Sequence, residues 1–318
     1  MAQAAKTTIG KLLYYSIKAA ELGGKQVKYV VDSLNLDTTF KDINVDPVTV
    51  GDIRAHQAMV GVFGKFLPNI KVISEEDDSE KKIEPVDPAE WESVPLVSGE
   101  FLKLVDLDGG VNEDDVTVWI DPLDATKEYT EQLYEYVQVM VGIAVKGKAV
   151  AGVLHRPFLE PPVTYWAWKD HAVCPELKPF KIQRPANDVL KIVISRTVSH
   201  AGSVQQFADT AFGSKNFELV PRGGAGYKIL QVILGHADAY LHITKIKKWD
   251  LCAGDGIVRA LGGNVTSLAG EEIDYGQPAG GVKPDAMVNN GFIIAVYDHD
   301  WFLEGCKKAV REVTAGRS

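Results

Sequence analysis

One short stretch limits this chain more than any other. Residues 116–120 are apolar or β-branched throughout, and they run directly into Asp121-Pro122-Leu123-Asp124. Such a run predicts a strand buried in a sheet, and the proline turns the chain because its ring fixes φ and removes a backbone donor. Asp121 therefore stands at the carboxyl end of a strand, where open α/β sheets bind their ligands. The stretch predicts an α/β fold with its functional site at that sheet edge.

The same turn points to a ligand. It can fold the carboxylates of Asp121 and Asp124 toward one point, with the Leu123 carbonyl between them. Hard cations such as Mg²⁺ prefer oxygen-rich clusters of this kind. A plainer interpretation is a turn in which the aspartate caps the helix that follows. The motif alone leaves both interpretations open.

Further acidic residues also stand at the ends of predicted elements. Glu75 and Glu76 follow a predicted short strand at 71–74, and Asp250 follows Trp249 just before a predicted helix. Each has an alternative interpretation: the two glutamates as a solvated charge run, and Asp250 as a helix N-cap. Together with the Asp-Pro-Leu-Asp turn, these acids favour a metal site.

The composition is that of an ordinary globular chain with a large core. Its 318 residues are 46% hydrophobic and 24% charged, and a chain of this length buries roughly three quarters of its unfolded surface. The formal net charge of −9 argues against a duplex nucleic-acid partner, which binds basic faces. The three cysteines, Cys174, Cys252 and Cys306, are too few for a disulfide framework and predict reduced thiols. We find no apolar stretch long enough to span a membrane, so we expect a cytoplasmic protein without a membrane partner, and we favour a monomer.

Apolar periodicity divides the chain into two predicted lobes. Residues 1–195 are predicted as a sheet-rich α+β lobe with a helical layer, and residues 196–318 as an α/β lobe of alternating strands and helices. Residues 76–115, acidic with scattered Pro and Gly, are predicted as a long surface excursion. The predicted helices are 5–31, 50–67, 204–212, 227–234, 251–261 and the segment after residue 299. The predicted strands are 71–74, 116–120, 136–145, 149–154, 164–168, 190–195, 239–243, 265–268 and 292–296.

Taken in chain order, the acidic motifs resemble those of the lithium-sensitive, Mg²⁺-dependent phosphatases of the inositol monophosphatase and fructose-bisphosphatase superfamily. The pattern of that superfamily is D-x5-D, then E-E, then D-P-[IL]-D-[GA]-T, and then W-D before a helix. This chain supplies the same elements in the same order: Asp46 and Asp52, Glu75-Glu76, residues 121–126 and Trp249-Asp250. The resemblance covers roughly residues 10–310. It implies an α/β (α+β) fold, a layered αβαβα sandwich of the sugar-phosphatase type.

Within that superfamily, residues 121–131 are similar to the 3'(2'),5'-bisphosphate nucleotidases, whose motif is D-P-L-D-[GA]-T-x-E-Y-T-E. Residues 223–228 and 247–253 match the same subgroup. Ala125 stands where most of the superfamily has glycine and resembles the Golgi-resident members, which carry an N-terminal membrane anchor that we do not expect in this chain. Because Thr126 is retained, we interpret the alanine as a lineage variant.

The resemblance implies a role for each acid. Two to three Mg²⁺ ions would be held by the metal ligands Glu75, Asp121, Leu123 through its carbonyl, Asp124 and Asp250. Paired metals can clamp the attacking and leaving oxygens of an in-line phosphoryl transfer, so a covalent nucleophile is not needed. Asp52 and Thr126 would form the catalytic pair that activates the attacking water. Asp46 and Glu76 would lie behind the ligands as outer or weak-site acids, although an Asx turn before Pro47 accounts for Asp46 equally well.

The substrate-binding residues that the resemblance implies come from both lobes: Thr126, Ser195, Ser199, His200, Gly224, Lys228 and Asp250. Backbone N–H groups at the helix start near Thr126 would hold the phosphate that is cleaved. Glycines at 223–226 let the backbone approach a second phosphate and Lys228 adds charge, although a plain strand-to-helix turn also explains the glycines. His200 lies five residues after Ser195, where the family has about three. The register of Ser195 against Ser199 therefore stays open, and His200 is also compatible with an ordinary surface residue.

With these roles, the resemblance implies a phosphatase that hydrolyses the 3'-phosphate of adenosine 3',5'-bisphosphate to AMP and phosphate by metal-activated water. The sulfated analogue, 3'-phosphoadenosine 5'-phosphosulfate, is a further candidate substrate. The main alternative is an inositol polyphosphate 1-phosphatase, or an enzyme with both activities. A non-catalytic metal or anion binder on the same fold is the alternative from another class, and the full set of metal-type acids with Thr126 argues against it. The expected partner is a small bisphosphate and no nucleic-acid polymer.

Overall fold

The chain stacks into five layers, in the order helices, sheet, helices, sheet, helices. The computed structural model describes residues 5–35, 47–76, 85–105, 107, 109–177, 189–197, 204–276 and 286–315. The layering confirms the predicted αβαβα sandwich. Of the predicted site residues, Asp46, Ser199 and His200 lie outside the described residues.

Two long helices form the first layer, α1 (Ile9–Asn35) and α2 (Pro47–Phe66). Apolar residues three and four apart give each helix one buried face, which packs on the first sheet. α2 ends before Pro68, because a proline disfavours helical backbone in the residue that precedes it. Both helices confirm the prediction from periodicity.

The second layer is a six-stranded sheet. Its strands are β2 (Lys71–Ser74), β4 (Val116–Asp124), β5 (Gln138–Val145), β6 (Lys148–Arg156), β7 (Val163–Trp168) and β8 (Ala172–Val173), and the separate pair β1 (Lys6–Thr7) and β3 (Val111–Asn112) lies outside it. The order is β2-β4-β5-β6-β7-β8. β2 runs parallel to β4, and the other neighbours are antiparallel. Parallel pairing places the ends of β2 and β4 side by side, and this positions the site.

β4 is longer than the sequence predicts. The predicted strand ends at residue 120, whereas the observed strand continues through Pro122 to Asp124. Its pairing with β5 shifts by one residue between Asp121 and Asp124, which marks a β-bulge. A bulge tolerates proline because it leaves a residue out of the hydrogen-bond ladder. The turn expected from Pro122 is therefore a bulge within the strand, and it aims the two aspartates at one sheet edge.

A pair of helices, α7 (Ala225–Ile233) and α8 (Trp249–Ala260), fills the middle layer between the sheets. α8 lies directly on β5 and β6, where glycines stand at positions 142 and 152. A Cβ at Gly152 would collide with the carbonyl of Ala253. The close approach of α8 to the first sheet therefore depends on a glycine at this position.

The second sheet and the last helices complete the fold. The strands are β9 (Val189–Ser195), β10 (Asn216–Arg222), β11 (Ala239–His242), β13 (Asn264–Ser267) and β15 (Phe292–Ala295), ordered β10-β9-β11-β15-β13. The outer helices are α6 (Val204–Phe212) and α9 (His299–Ala315), and a small ribbon pairs β12 (Ile246–Lys247) with β14 (Met287–Val288). β10 was not predicted, because its residues are mostly half-buried or exposed and include Pro221, so it lacks an apolar run.

β9 is the first strand of the second sheet, although it closes the predicted first lobe. The division of the chain into lobes 1–195 and 196–318 stays a prediction. α8, from the second of these segments, packs against the first sheet, so residues of both segments share one apolar core.

The segment after β2 is more than the predicted surface excursion. Its described part contains α3 (Ala89–Glu92), α4 (Leu102–Val105) and 3-10 turns at Gly99–Phe101 and Glu113–Asp115; α5 (Thr126–Thr130) and further 3-10 turns at Tyr134–Tyr136 and Pro175–Leu177 follow in the chain. Trp91 and Phe101 pack against the helical layer, and a Cβ at Gly61 would collide with the Trp91 indole. The segment therefore covers α1 and α2. No helix in the described part of the chain combines the length and apolar character needed to cross a membrane.

Candidate active site

Three carboxylates from three different elements meet at the end of the first sheet. Glu75 follows β2, Asp121 lies in β4 and Asp250 in the first turn of α8, and one oxygen from each lies within 4.8 Å of the other two. The Glu75 N–H donates to the Ile120 carbonyl at 3.1 Å, which fixes the end of β2 beside β4. The structure therefore brings together three of the five predicted metal ligands, which we call the acid cluster.

The carboxylates of the acid cluster repel one another when they are ionised. Burial, followed by the charges of Glu76 and Asp124, raises the pKa of Glu75 to about 7. Burial, and then the neighbouring carboxylates, raise the pKa of Asp121 and of Asp250 well above the usual aspartate value. Like charges this close disfavour ionisation of all members together. A divalent cation would remove that repulsion, and the all-oxygen donor set is the one that Mg²⁺ prefers. The residues present therefore fit the ion.

Asp124 takes a different position from the other acids. Its Oδ1 accepts the Ala225 N–H at 2.9 Å and its Oδ2 accepts the Gly226 N–H at 2.8 Å, so it holds the start of α7. Its charge nevertheless raises the pKa of Glu75, Asp121 and Asp250. Each carboxylate oxygen keeps acceptor capacity beyond one hydrogen bond. Ligation of a metal by Asp124 stays a prediction.

The two proposed catalytic side chains flank the bulge in β4. The Thr126 hydroxyl donates to the Leu123 carbonyl at 3.2 Å. Asp52 on α2 is buried, and its charge contributes to the raised pKa of Asp121. Ala125 between the aspartate and the threonine has φ 73° and ψ 43°, a left-handed conformation that costs a non-glycine residue about 1–2 kcal/mol. That conformation gives a physical reason for the glycine that the superfamily motif prefers.

A cavity of about 480 Å³ opens beside the acid cluster. Six predicted site residues line it: Asp124, Thr126, Ser195, Gly224, Lys228 and Asp250. The remaining described ones are Asp52, Glu75, Glu76, Asp121 and Leu123, and they are not part of its wall. Ligand cavities usually measure about 300–1,000 Å³, so this cavity accommodates a small molecule.

Lys228 lines the cavity as a largely buried residue. The side chain is buried, its ammonium donates to the Gly224 carbonyl, and it lies 5.1 Å from the centre of the Tyr240 ring. Burial lowers the pKa of Lys228 to about 8, while Asp124, Glu128 and Asp250 oppose that shift. Gly224 has φ +59°, and a Cβ there would come within 2.8 Å of Asp124 Oδ2. The glycine run is therefore needed where the chain passes over Asp124.

An ion-pair group that the sequence reasoning missed connects the end of β9 to α5. Arg196 follows β9, and its Nη1 lies 3.1 Å from Glu128 Oε1 and 2.6 Å from Glu131 Oε2. Beside it, the Ser195 hydroxyl accepts the Thr197 N–H at 3.2 Å. Both glutamates belong to the motif at 121–131, but sequence spacing gives no signal that pairs them with residue 196.

The cavity wall also contains basic residues to which the sequence reasoning gave no role. His242, Lys245 and Lys247 line it from the end of β11 to β12. The Lys247 N–H donates to Asp250 Oδ2 at 3.1 Å, and its ammonium lies 5.2 Å from the centre of the Trp249 ring. The basic run directly before Trp249-Asp250 is the sequence signal that would have found them.

Comparison with known proteins gives consistent results. The model of the inositol monophosphatase family matches residues 9–299. "Putative inositol monophosphatase 3" of Drosophila melanogaster is 38% identical over 318 residues, 98% of this chain and 84% of that protein. "Golgi-resident adenosine 3',5'-bisphosphate 3'-phosphatase" of Rattus norvegicus is 40% identical over 278 residues, 83% of this chain and 73% of that protein. The crystal structure of CysQ from Bacteroides thetaiotaomicron matches with a TM-score of 0.60 at 22% identity, covers 88% of this chain and 95% of that one, and supports the fold alone.

Proposed function

The chain belongs to the inositol monophosphatase family, and from this premise we propose that it is a Mg²⁺-dependent phosphatase that releases the 3'-phosphate of adenosine 3',5'-bisphosphate. Its relatives are named as phosphatases, and one of those names specifies this substrate and this position. The observation that carries the proposal is the acid cluster, in which carboxylates from the end of β2, from β4 and from α8 converge within 4.8 Å beside a ligand-sized cavity. Buried like charges without a cation are costly, so the arrangement favours a metal centre.

Each site residue has a role in this proposal. Glu75, Asp121, the Leu123 carbonyl, Asp124 and Asp250 would hold two to three Mg²⁺ ions, which when bound would supply Lewis acidity and positive charge. Asp52 would accept the proton of the attacking water, because a carboxylate is the stronger base, and the Thr126 hydroxyl would orient that water. Glu76 would tune the acid cluster through its charge, which raises the pKa of Glu75. Ser195, Gly224 and Lys228 would contact the substrate from the cavity wall that they line.

A second candidate substrate class has support of its own. The Drosophila relative is named an inositol monophosphatase, so an inositol polyphosphate 1-phosphatase, or an enzyme with both activities, is the alternative within the same chemistry. The sulfated analogue 3'-phosphoadenosine 5'-phosphosulfate shares the adenosine, ribose and 3'-phosphate and belongs to the proposed substrate range. Retention of Thr126 and of all the metal-type acids argues against a non-catalytic binder.

The test is phosphate release with Mg²⁺ from three substrates side by side: adenosine 3',5'-bisphosphate, its sulfated analogue and inositol 1,4-bisphosphate. We expect the nucleotide to give the highest kcat/KM, and we expect lithium to inhibit the reaction. Asp121→Asn serves as the control for contaminating phosphatase. A higher kcat/KM on the inositol substrate would move the assignment to the alternative, and release from none of the three would overturn the proposal.

The compartment and assembly state are part of the proposal as well. We propose a cytoplasmic monomer, because Cys174, Cys252 and Cys306 are buried free thiols, which suit a reducing compartment. The rodent relative is named as Golgi-resident, so the compartment needs its own measurement. Fractionation of cells that express the tagged chain, with light scattering of the purified protein, tests both points. A lumenal location or a stable dimer would contradict them.

A further inference from the structure

The lysines around the cavity differ in the contacts that their ammonium groups make. In the part of the chain that the structure describes, lysines line the cavity at four positions, Lys127, Lys228, Lys245 and Lys247. A bisphosphate that places one phosphate at the acid cluster needs a cation for its other phosphate some distance away. The contacts that each ammonium already makes determine which lysine is available for this phosphate.

Three of the four are engaged. Lys228 is buried, donates to the Gly224 carbonyl and faces the charges of Asp124, Glu128 and Asp250. Lys247 lies over the Trp249 ring, and its charge acts on Glu75, so it belongs to the end of the cavity with the acid cluster. Lys127 lies 3.8 Å from Glu131, which neutralises part of its charge.

Lys245 is the exception. Its side chain is exposed on the cavity wall, and among the described residues we find no ion pair or aromatic ring against its ammonium. It lies in the short connection between β11 and β12, on the side of the cavity formed by the second sheet. An exposed, unpaired ammonium on the wall of a ligand-sized cavity can bind an anionic group without first breaking another contact.

The connection that carries Lys245 is also well fixed. His242 is buried and stacks on Phe292, with ring centres 5.2 Å apart and an angle of 14° between the planes. Its Nε2 donates to the Lys245 carbonyl at 3.2 Å and lies 3.0 Å from the Thr244 hydroxyl. Hydrogen bonds from a buried ring to the turn reduce the backbone freedom that ligand binding would otherwise have to remove.

We propose that Lys245, positioned by His242, binds the second phosphate of the substrate, the one that the enzyme does not remove. Lys245 would thereby select bisphosphates over monophosphates. This inference rests on the proposed function and adds Lys245 to Lys228, which the sequence predicts to supply charge for that phosphate. Lys228 also holds the 224–228 turn, whose Gly226 N–H donates to Asp124. The group that is recognised is a phosphate monoester, whether it belongs to a nucleotide or to an inositol.

The experiment compares paired substrates that differ only in the second phosphate: adenosine 3',5'-bisphosphate against adenosine 3'-monophosphate, and inositol 1,4-bisphosphate against inositol 1-phosphate. The variants are Lys245→Gln, Lys245→Arg and Lys127→Gln, and Lys103→Gln is the control because Lys103 is exposed and lies outside this cavity. KM and kcat are measured for each substrate with Mg²⁺.

We expect Lys245→Gln to raise KM for the bisphosphate roughly tenfold or more, the size of one lost charge-assisted hydrogen bond, with kcat and the monophosphate KM nearly unchanged. Lys245→Arg should restore most of the preference, Lys127→Gln should change it less, and Lys103→Gln should match the parent. The substrate pair that shows the effect identifies the source of the phosphate. Equal effects of Lys245→Gln on both members of each pair, or no effect, would overturn the inference while leaving the phosphatase intact. Absence of phosphate release by the parent protein would instead overturn the proposed function.

Discussion

Asp250 and Asp255 stand five residues apart on α8, yet their surroundings are opposite. Asp255 is fully buried, and its Oδ1 accepts from Arg259 Nε at 2.6 Å. Burial raises the pKa of Asp255 to about 6, and Arg259 opposes that shift. Asp250 instead faces the carboxylates of Asp124 and Glu75, whose charges add to burial and raise its pKa well above the usual value. Asp255 therefore forms an ion pair within the chain, whereas at Asp250 the charges of the neighbouring carboxylates outweigh the charge of Lys228.

The largest effect should come from removing the counter-charge of Asp255. Arg259→Met leaves a buried carboxylate without its partner, and such changes cost about 3–5 kcal/mol of folding free energy. Urea unfolding with Mg²⁺ present measures the loss. The double variant Asp255→Asn with Arg259→Met should recover most of it, because no buried charge remains. A single variant as stable as the parent would show that Asp255 does not depend on Arg259.

Removing the acid at the site should affect activity and leave folding intact. Asp250→Asn should lower kcat/KM by about a hundred- to a thousandfold, the usual effect of one lost electrostatic group in an active site, and weaken Mg²⁺ binding in calorimetry. Without Mg²⁺ the variant should be at least as stable as the parent, because a repulsive charge is gone. Asp255→Asn is the matched control, with Mg²⁺ affinity retained and stability reduced. If Asp255→Asn lost Mg²⁺ affinity and Asp250→Asn lost stability instead, the assignment of Asp250 to the site and of Asp255 to the fold would be wrong.

A buried titratable group with neither a counter-charge nor a cation site should simply remain neutral. His155 is buried, its Nδ1 bonds to the Thr164 hydroxyl at 2.8 Å, and burial lowers its pKa to about 4. Because the unfolded chain takes up the proton first, near pH 6.5, the contribution of His155 to stability is present above that pH and is lost as pH falls toward 4. The shift corresponds to at most about 3 kcal/mol.

Unfolding curves between pH 8 and 4 measure this loss. The variant His155→Gln keeps a hydrogen-bonding side chain and cannot titrate, so its stability should fall less than that of the parent over the same pH range. Parallel curves for the two proteins would mean that His155 is not the group responsible.

The smallest effect should come from the ion pairs of the half-exposed Arg196. Arg196→Gln removes the ion pairs with Glu128 and Glu131 that connect β9 to α5. Glu128 is buried, but Arg196 is half-exposed to water that screens its charge, and the glutamine amide can still donate to Glu128, so we expect kcat to fall only roughly two- to fivefold, with Mg²⁺ affinity unchanged. Lys191→Gln, at an exposed position of the same strand, is the control. A change in Mg²⁺ affinity would place Arg196 closer to the acid cluster than the geometry indicates.

Much of the fold followed from local pattern. Strands such as β4 and β9 are nearly continuous apolar runs, and α1, α2 and α9 show helical periodicity. The sequence pattern therefore predicts which of their residues are buried. β10 was not predicted because an edge strand needs no apolar run. Its position depends on its pairing with β9, which local sequence does not show. The bulge at Pro122 was not predicted because it is a shift in the pairing of β4 with β5, and β5 lies further along the chain.

The candidate site divides in the same way. The residue order alone indicates which acids are available and that Asp121 and Asp124 lie at the end of a strand. The folded arrangement establishes that Glu75, Asp121 and Asp250 converge. It also shows that Asp124 holds the start of α7, and that Lys228 is buried whereas Lys245 is exposed. The local backbone conformation of a residue depends on its own side chain and on its neighbours in the chain. The charge that a side chain faces is set by groups far away in sequence, which only folding brings within a few ångströms.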